Sequence, residues 1–416
     1  MMIQDVDTVL TDFHSVRLSQ TVSQEQSCRL LIKGMVKAIA VKSGKTSVKD
    51  IEKIHKKVQS KFNFYALSAD TVKQRYMAIW PEDYKYEEEL SLVEDGGFVR
   101  YNTVFPMYED LAKRHTNPDG VGLSERMDFY RFMAEKHIRH LYADKHAEQP
   151  DQIIYVTSTG YVEPNPVDVI MSENKWYDVP VINFYNRACN ASISAIRTAN
   201  ALMRSSFLGG YEKPNKRVDL VHSEIFSIHI KIFDDHPVNI GLMSSYSDSF
   251  LRYSIRRYAD VLGSGIASLK IIAFRHMIIP QSTHIASFKV SGPVFDYKID
   301  PLKYLKLIRS NVSHFVHCFF REIGIEFNKI KHKLLFVIQA PNLLVLKQIG
   351  KELELSEEQL AFSKNVLYEN GYLSSGAIPF MCKNILESSQ ISSGQQVFCI
   401  GHALGLSISG MMLEKT

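Results

Sequence analysis

The 416-residue sequence is poor in cysteine and tryptophan, with five of one and two of the other. Cys28, Cys189, Cys318, Cys382 and Cys399 form no CxxC pair and no regular spacing. So odd and sparse a set excludes a disulfide framework or a zinc ribbon and fits a reducing compartment. There is no HExxH segment and no carboxylate cluster at ligand spacing, so no metal is expected. No apolar run approaches the ~18 residues that a membrane span needs. The opening MMIQDVDTVLTDF carries acids where a signal peptide would carry Lys or Arg, and a soluble, cytoplasmic protein is expected. Charge of one sign is lacking too. The 49 Lys and Arg residues face 45 Asp and Glu, a net +4, too small an excess for nucleic-acid binding.

What remains is a globular composition, 45% hydrophobic and 23% charged, which rules out a disordered or fibrous chain. At ~150 residues per domain, the length predicts two or three domains or one large duplicated unit. Residues 27–41 and 48–62 read as amphipathic helices, and the lysines of KIHKKVQSK read as a solvated helix face. Residues 81–122 are acidic and then rich in turn formers, which predicts an inserted cap. A long helix is expected over 123–142 with Ser124 as its N-cap. Strands are expected at 153–159 and 179–185, the second an unbroken apolar run suited to burial on both faces. The stretch RACNASISAIRTANALMRSS follows as a helix whose small residues allow close backbone approach. Further strands are expected at 217–223 and 250–256. Near Ser264 and Gly265 the pattern restarts, alternating strand and helix through 269–274, 303–324, 334–338, 356–371, 375–387 and 396–400. This order predicts two successive α/β halves, 1–262 and 263–416.

Cys189 falls where the strand at 179–185 hands over to the small-residue helix. First-turn N–H groups and the helix dipole favour a thiolate there, below the free value of about 8.5. The same N–H groups can hold an oxyanion once the sulfur attacks a thioester carbonyl. A small buried packing residue is the alternative reading of Cys189.

The segment 151–203, with TSTG at Thr157 to Gly160 and Cys189 before its helix, resembles the nucleophile region of the thiolase superfamily. The similarity is to ketoacyl-ACP synthase III and the chalcone-synthase-like type III polyketide synthases. SEI at Ser223 to Ile225 is similar to the family's SEI segment, and VKQRYMAI near Tyr76 to its early R-Y/T segment. SSYSDSFLRYSI stands where the family has GDGAAA, keeping Asp248 alone. GYLSSGAIP resembles GNTSAASIP, and GQQVFCIGHALGLSISG resembles the closing GD-VLLVGFGAGLT. The resemblance implies a five-layered α-β-α-β-α sandwich of two duplicated halves. It also implies a homodimer with a buried tunnel, or a heterodimer with a related synthase.

The family's catalytic trio is Cys, His and Asn, and two of the three are replaced. Gln339 falls at the His position after the strand LLFVI, and Tyr372 follows Gly371 where the family has Asn. Both can donate hydrogen bonds to a carbonyl, but neither titrates near neutrality as a general base. Losing one oxyanion donor typically costs ~3 kcal/mol, so His/Asn-assisted decarboxylation of a malonyl thioester is not expected. His402, in GHALG, is the candidate replacement base if its ring lies near the sulfur. A histidine packed in place of the family's aromatic residue is the alternative. His222 and His229 flank SEI as weaker candidates, and HPV at His236 lies too early to be the family's HPGG. The resemblance thus implies an acyltransferase of specialised, polyketide- or fatty-acid-derived metabolism that loads an acyl group onto Cys189. Its substrate would be acyl-CoA or phosphopantetheine-linked acyl-ACP, with no cofactor held permanently. The alternative function is a disabled ketosynthase-like subunit that stabilises an active paralogue.

Overall fold

The computed structural model describes residues 6–16, 21–45, 47–78, 120–143, 148–185, 187–205 and 215–416. All but the last three residues of the expected 81–122 cap lie outside the described residues. The chain enters on β1 (Thr8–Val16); a short pair, β2 (Thr21–Ser23) and β3 (Gln74–Tyr76), brackets α1 (Gln24–Ser43) and α2 (Val48–Tyr65). Then come α3 (Leu123–Leu141), β4 (Gln152–Thr157), α4 (Pro166–Glu173), β5 (Val181–Tyr185), α5 (Ala191–Ser205) and β6 (Arg217–Glu224). Helix α6 (Pro237–Ser245), β7 (Ser249–Arg257) and the one-turn α7 (Tyr258–Val261) complete the first half of the sheet. The second begins at β8 (Leu269–Ile278), followed by the hairpin β9 (Ala286–Ser291) and β10 (Val294–Ile299), then α8 (Pro301–Glu322). It ends through α9 (Phe327–Ile330), β11 (Leu335–Ile338), α10 (Leu343–Glu352), α11 (Glu357–Asn370), α12 (Ala377–Glu387), β12 (Gln396–Ala403) and β13 (Ser407–Lys415).

Nine strands share one sheet in the order β11-β12-β13-β8-β1-β7-β6-β4-β5. Outward from β1, the contacts to β7, β6 and β4 are antiparallel, antiparallel and parallel. Outward from β8, the contacts to β13, β12 and β11 repeat that pattern. The duplication is therefore visible in the strand order. The two series meet only at Val9 with Lys270 and Leu10 with Leu269, so the junction is narrow.

Strand alternation sorts the side chains into three cores. On β4, Ile153 and Tyr155 face the core under α1 and α3, while Ile154 and Val156 face the core around α5 and α12. On β12, Val397 and Cys399 enter that same central core, and Phe398 and Ile400 face a third one under α8 and α10. Helices α5 and α12 thus lie between the two halves of the sheet, giving five layers, α-β-α-β-α. Ala191, Ala195 and Ala199 have no exposed surface, which explains the small residues of α5: any longer side chain would hold the sheets apart.

Two local expectations are corrected. Helix α3 is capped by Gly122 without a side-chain bond, and Ser124 lies inside the helix. Strand β5 is only half-buried, because it is the edge of the sheet rather than an interior strand. Among the described residues, no helix is long and apolar enough to cross a membrane.

At the end of β4 the chain passes tightly under α3. A Cβ added to Gly160 would stand 2.0 Å from the Tyr130 ring. That ring cannot retreat, since its hydroxyl is held by Tyr155 Oη at 2.6 Å and Thr157 Oγ1 at 2.9 Å. Gly160→Ala is expected to lower stability by about 3 kcal/mol, the upper end of overpacking costs. Urea unfolding of the variant and the parent protein would check this; equal midpoints would contradict it.

Candidate active site

Cys189 sits in a 3-10 turn, Ala188–Asn190, that joins the end of β5 to α5. The side chain of Asn190 anchors the turn to the second half of the sheet, its Nδ2 donating to Ser409 Oγ at 2.6 Å. Ser374 Oγ donates to the sulfur at 3.5 Å. The hydroxyls of Tyr372 and Tyr246 also bond the sulfur and, with Ser374, favour its thiolate. Burial opposes them and wins, helped by the nearby carboxylate of Glu224, so the thiol is pushed up from its ordinary value. The sequence expectation of a lowered value fails because the turn lies within the protein rather than at an open helix end.

Gln339 and Tyr372 are both brought to this turn, in different roles. Gln339 continues β11, its N–H bonded to Ile400 O at 2.9 Å. Its Nε2 lies 2.7 Å from Cys189 O, 2.9 Å from Ser374 O and 3.1 Å from Tyr372 Oη. An amide nitrogen has two hydrogens, and the two closer partners are backbone carbonyls that can only accept. Gln339 therefore has no hydrogen left for a substrate carbonyl, contrary to the donor role expected from the sequence. It braces the cysteine turn against the GYLSSG turn. Gly401 must be glycine at this point, because a Cβ would stand 2.7 Å from Asn190 Oδ1 and 3.0 Å from Gln339 Oε1. Tyr372 is pinned through its backbone, accepting from Ser247 N–H at 3.0 Å and donating to Ser245 O at 2.8 Å.

The histidines fall away from the sulfur. Gly401 faces Gln339, so His402, one residue further along β12, faces the opposite side of the sheet. There its Nδ1 hydrogen-bonds the hydroxyl of Tyr304 on α8. Burial pulls its pKa down to about 4, partly offset by the backbone carbonyl of Gln339. It does not bond the sulfur, so the direct contact expected from the sequence is absent. His229 uses both ring nitrogens, Nε2 with Thr159 O at 2.6 Å and Nδ1 accepting from Phe295 N–H at 3.1 Å. His222 is likewise engaged, with Ser375 Oγ at 3.2 Å and Tyr253 Oη at 3.0 Å. Glu224 accepts from Ser375 Oγ at 2.5 Å and from Ser158 N–H at 3.0 Å, yet burial pushes it up to about 7.

A cavity of about 330 Å³ lies between the segment after β6, helix α6 and the β9–β10 hairpin, walled by residues including Phe226, Leu242, Met243, Phe288 and Phe295, and Cys189 is not part of its wall. Tyr246 connects the two places, since it lines the cavity and bonds the sulfur. Its ring stacks on Phe226 with centroids 4.1 Å apart. Three basic side chains line the cavity, and Lys298 Nζ, largely exposed, lies 3.9 Å from Asp296. Lys231 Nζ lies 2.9 Å from Asp296 and 3.1 Å from Asp234. Arg75 is committed to Gln24 Oε1 at 2.8 Å, Tyr246 O at 3.0 Å, Met243 O and Ser27 Oγ. Among the described residues, no three His, Cys, Asp or Glu side chains converge as a metal site would require.

Tyr246, Ser374, Tyr297 and Tyr304 are not among the candidate residues of the sequence. Tyr246 and Ser374 lie in segments already marked by their resemblance, so a signal for them existed. Tyr297, on the hairpin, and Tyr304, at the start of α8, carry none, because only folding brings them to the thiol.

Stability should depend on pH through the buried groups. His137, His222 and His229 are held at about 3 and His402 at about 4, so all stay neutral when folded and take up protons near 6.5 when unfolded. Glu224 and Asp248, at about 7 and about 6, act in the opposite sense by holding their protons in the folded chain. Four histidines outnumber two acids, so between about pH 4.5 and 6 unfolding takes up protons and stability rises with pH. The expected result is a denaturant midpoint that falls steadily as pH is lowered from about 6.5 to 4.5. A midpoint that rises on acidification would overturn the assignment of neutral buried histidines.

Residues 323–415 match the family model described as 3-Oxoacyl-[acyl-carrier-protein (ACP)] synthase III C terminal. Among solved structures, the chain is similar to PKS-I from the brown alga Ectocarpus siliculosus. That likeness has a TM-score of 0.75 and 15% identity, covering 100% of both chains. It is also similar to the C-terminal type III polyketide synthase domain of Steely1, a type I/III hybrid from Dictyostelium. Here the TM-score is 0.70 and the identity 14%, covering 98% of this chain and 99% of that one. No curated protein sequence matches the chain. At such low identity these likenesses speak to architecture, and with the C-terminal match they agree: the chain has the thiolase-superfamily fold in its ketoacyl synthase III and chalcone-synthase-like form.

Proposed function

We propose that the protein is an acyltransferase that takes an acyl group from acyl-CoA or acyl-ACP onto Cys189 and passes it to an acceptor. The observation that carries this reading is the position of Tyr246, with its ring in the wall of an apolar cavity and its hydroxyl at the Cys189 sulfur. An acyl chain in the cavity would bring its thioester carbonyl to the thiol. The hydroxyls of Tyr246 and Tyr372 then stand where the family's His and Asn donors would be needed. Each well-placed donor of this kind is worth ~3 kcal/mol to an oxyanion. The apolar walls of the cavity, Phe226, Leu242, Met243, Phe288 and Phe295, suit the hydrocarbon part of an acyl group. Decarboxylation assisted by a His/Asn pair is not part of the mechanism. The reading includes the halves 1–262 and 263–416, a cytoplasmic homodimer or heterodimer, and no permanently held cofactor.

One observation favours a second reading, a non-catalytic subunit that stabilises a related synthase. Both hydrogens of Gln339 go to backbone carbonyls, and the thiol is pushed up rather than down. Intact mass after incubation with a panel of acyl-CoA and acyl-ACP donors separates the two. The expected result is a thioester adduct that is lost in Cys189→Ala and forms about 10²-fold more slowly in Tyr246→Phe. No adduct with any donor, together with stable co-purification with a paralogous synthase, would establish the subunit role instead.

A further inference from the structure

Four neighbouring strands set one row of positions across the second half of the sheet. His276 on β8 pairs with Ser409 on β13, and Ser409 pairs with Gly401 on β12. Gln339 comes next, continuing the pairing of β11 with β12 beyond Ile338 and Ile400. Gly401 leaves a gap in this row, and the side chain of Asn190 fills it. A Cβ on Gly401 would stand 2.7 Å from Asn190 Oδ1 and 3.0 Å from Gln339 Oε1. On its other side, Asn190 Nδ2 lies 2.6 Å from Ser409 Oγ, which lies 2.8 Å from His276 Nδ1. Asn190, Ser409 and Gln339 are buried, whereas His276 is exposed. Hydrogen bonds therefore run from a surface histidine to the residue that follows Cys189. Two atoms of the row are left over. Asn190 Oδ1 and Gln339 Oε1 are buried acceptors without a donor among the described residues, and such atoms call for a reason.

With Asn190 donating to Ser409, the hydroxyl hydrogen of Ser409 goes to His276 Nδ1, an acceptor whose ring carries its hydrogen on Nε2. A proton taken up from solvent makes both ring nitrogens donors. Ser409 Oγ then receives Nδ1–H and turns its own hydrogen towards Asn190. A half-turn of the Asn190 amide meets it: Oδ1 accepts from Ser409, and Nδ2 donates to Gln339 Oε1. Both leftover acceptors are then paired. We infer that protonation of His276 reverses this row of hydrogen bonds and tightens the hold of Gln339 on the Cys189 turn. The proton stays on the imidazole, and no covalent bond of the row is exchanged. Gln339 Nε2 keeps both backbone carbonyls, and a donor at Oε1 polarises the amide and strengthens those bonds. His276, Ser409 and Asn190 do not line the cavity, so they are positioning residues. Burial, then Arg197 on α5 and Arg187 ahead of it, lower the pKa of His276 from 6.5, which sets the reversal on the acid side of that value. Its consequence for acylation rests on the acyl-transfer reading; the reversal itself does not.

The test follows the side-chain amide signals of Asn190 and the ring signals of His276 in the full-length protein by NMR, between about pH 4.5 and 8. In the parent protein the Asn190 signals are expected to move with the midpoint of His276, below 6.5. In Ser409→Ala the histidine should still titrate while Asn190 no longer follows it. In His276→Gln the Asn190 signals should lose that midpoint. Asn190 signals that ignore His276 in the parent protein, or that follow it unchanged in Ser409→Ala, would overturn the reversal. Single-turnover acylation by hexanoyl-CoA, read as intact mass, is the second arm. Cys189 and Glu224 titrate in both proteins, so the ratio of the parent rate to the His276→Gln rate isolates the histidine. That ratio is expected to rise about fivefold as pH falls through the midpoint, the worth of one buried hydrogen bond, with the half-saturating donor concentration unchanged. A constant ratio would overturn the positioning role. No acylation of the parent protein by any thioester would instead overturn the acyl-transfer reading, and the NMR titration would still decide the reversal.

Discussion

The amide of Gln339 holds the site together. One nitrogen, on a residue that extends β11, binds the carbonyl of Cys189 at the mouth of α5 and the carbonyl of Ser374 ahead of α12. These turns belong to different halves of the sheet and to the two helices of the central layer. The two strand series pair directly at the short β1–β8 junction, and the Asn190–Ser409, Ser375–Glu224 and Tyr372–Ser245 hydrogen bonds also cross between the halves. A buried hydrogen bond of this kind contributes only about 1 kcal/mol net, but a buried carbonyl left unpaired costs ~1–3 kcal/mol. Removing the amide would leave two such carbonyls, which makes the brace hard to replace with an apolar side chain.

That brace has a chemical consequence. A histidine at the same position could offer a ring nitrogen to a substrate, whereas this glutamine has committed both hydrogens to the backbone. Polar contact with the sulfur passes instead to hydroxyls, from Tyr372, Ser374 and Tyr246. Hydroxyls donate without titrating near neutrality, so the groups at the sulfur carry no charge of their own. Burial of the thiol and of the phenols follows from the same layered packing that makes the cavity apolar. Desolvation, rather than the helix end at α5, then dominates the electrostatics of the sulfur.

The histidines show how one strand decides a role. On β12, Gly401 faces Gln339 and Asn190 so closely that no Cβ fits, and alternation then sends His402 to the α8 side. There it hydrogen-bonds Tyr304 and makes no bond to the sulfur. His229 is used differently. By bonding Thr159 O and the N–H of Phe295, it fastens the β9–β10 hairpin over the loop that follows β4 and so helps close the cavity.

Most of the layering was legible in the sequence. The alternation of short apolar strands with amphipathic helices, restarting near Ser264, follows from periodicity, and Cys189 before a run of small residues marks a buried strand–helix junction. The nine-residue β1 and β13 and the β9–β10 hairpin were not expected; β1 and β13 take their places from partners distant in sequence, β7 and β8, and such pairing leaves little local signal. The edge position of β5 was equally hidden, since an apolar run does not state how many neighbours it has. Residue types at the site could be read locally, including a cysteine without its histidine and asparagine partners. Their orientation could not. Whether Gln339 offers a hydrogen, which way His402 points, and how Tyr246, Tyr297 and Tyr304 gather near one thiol depend on strand pairing across some two hundred residues. Sequence pattern determines which side chains are available and which faces are apolar; contacts between segments far apart in the chain decide which of those side chains meet.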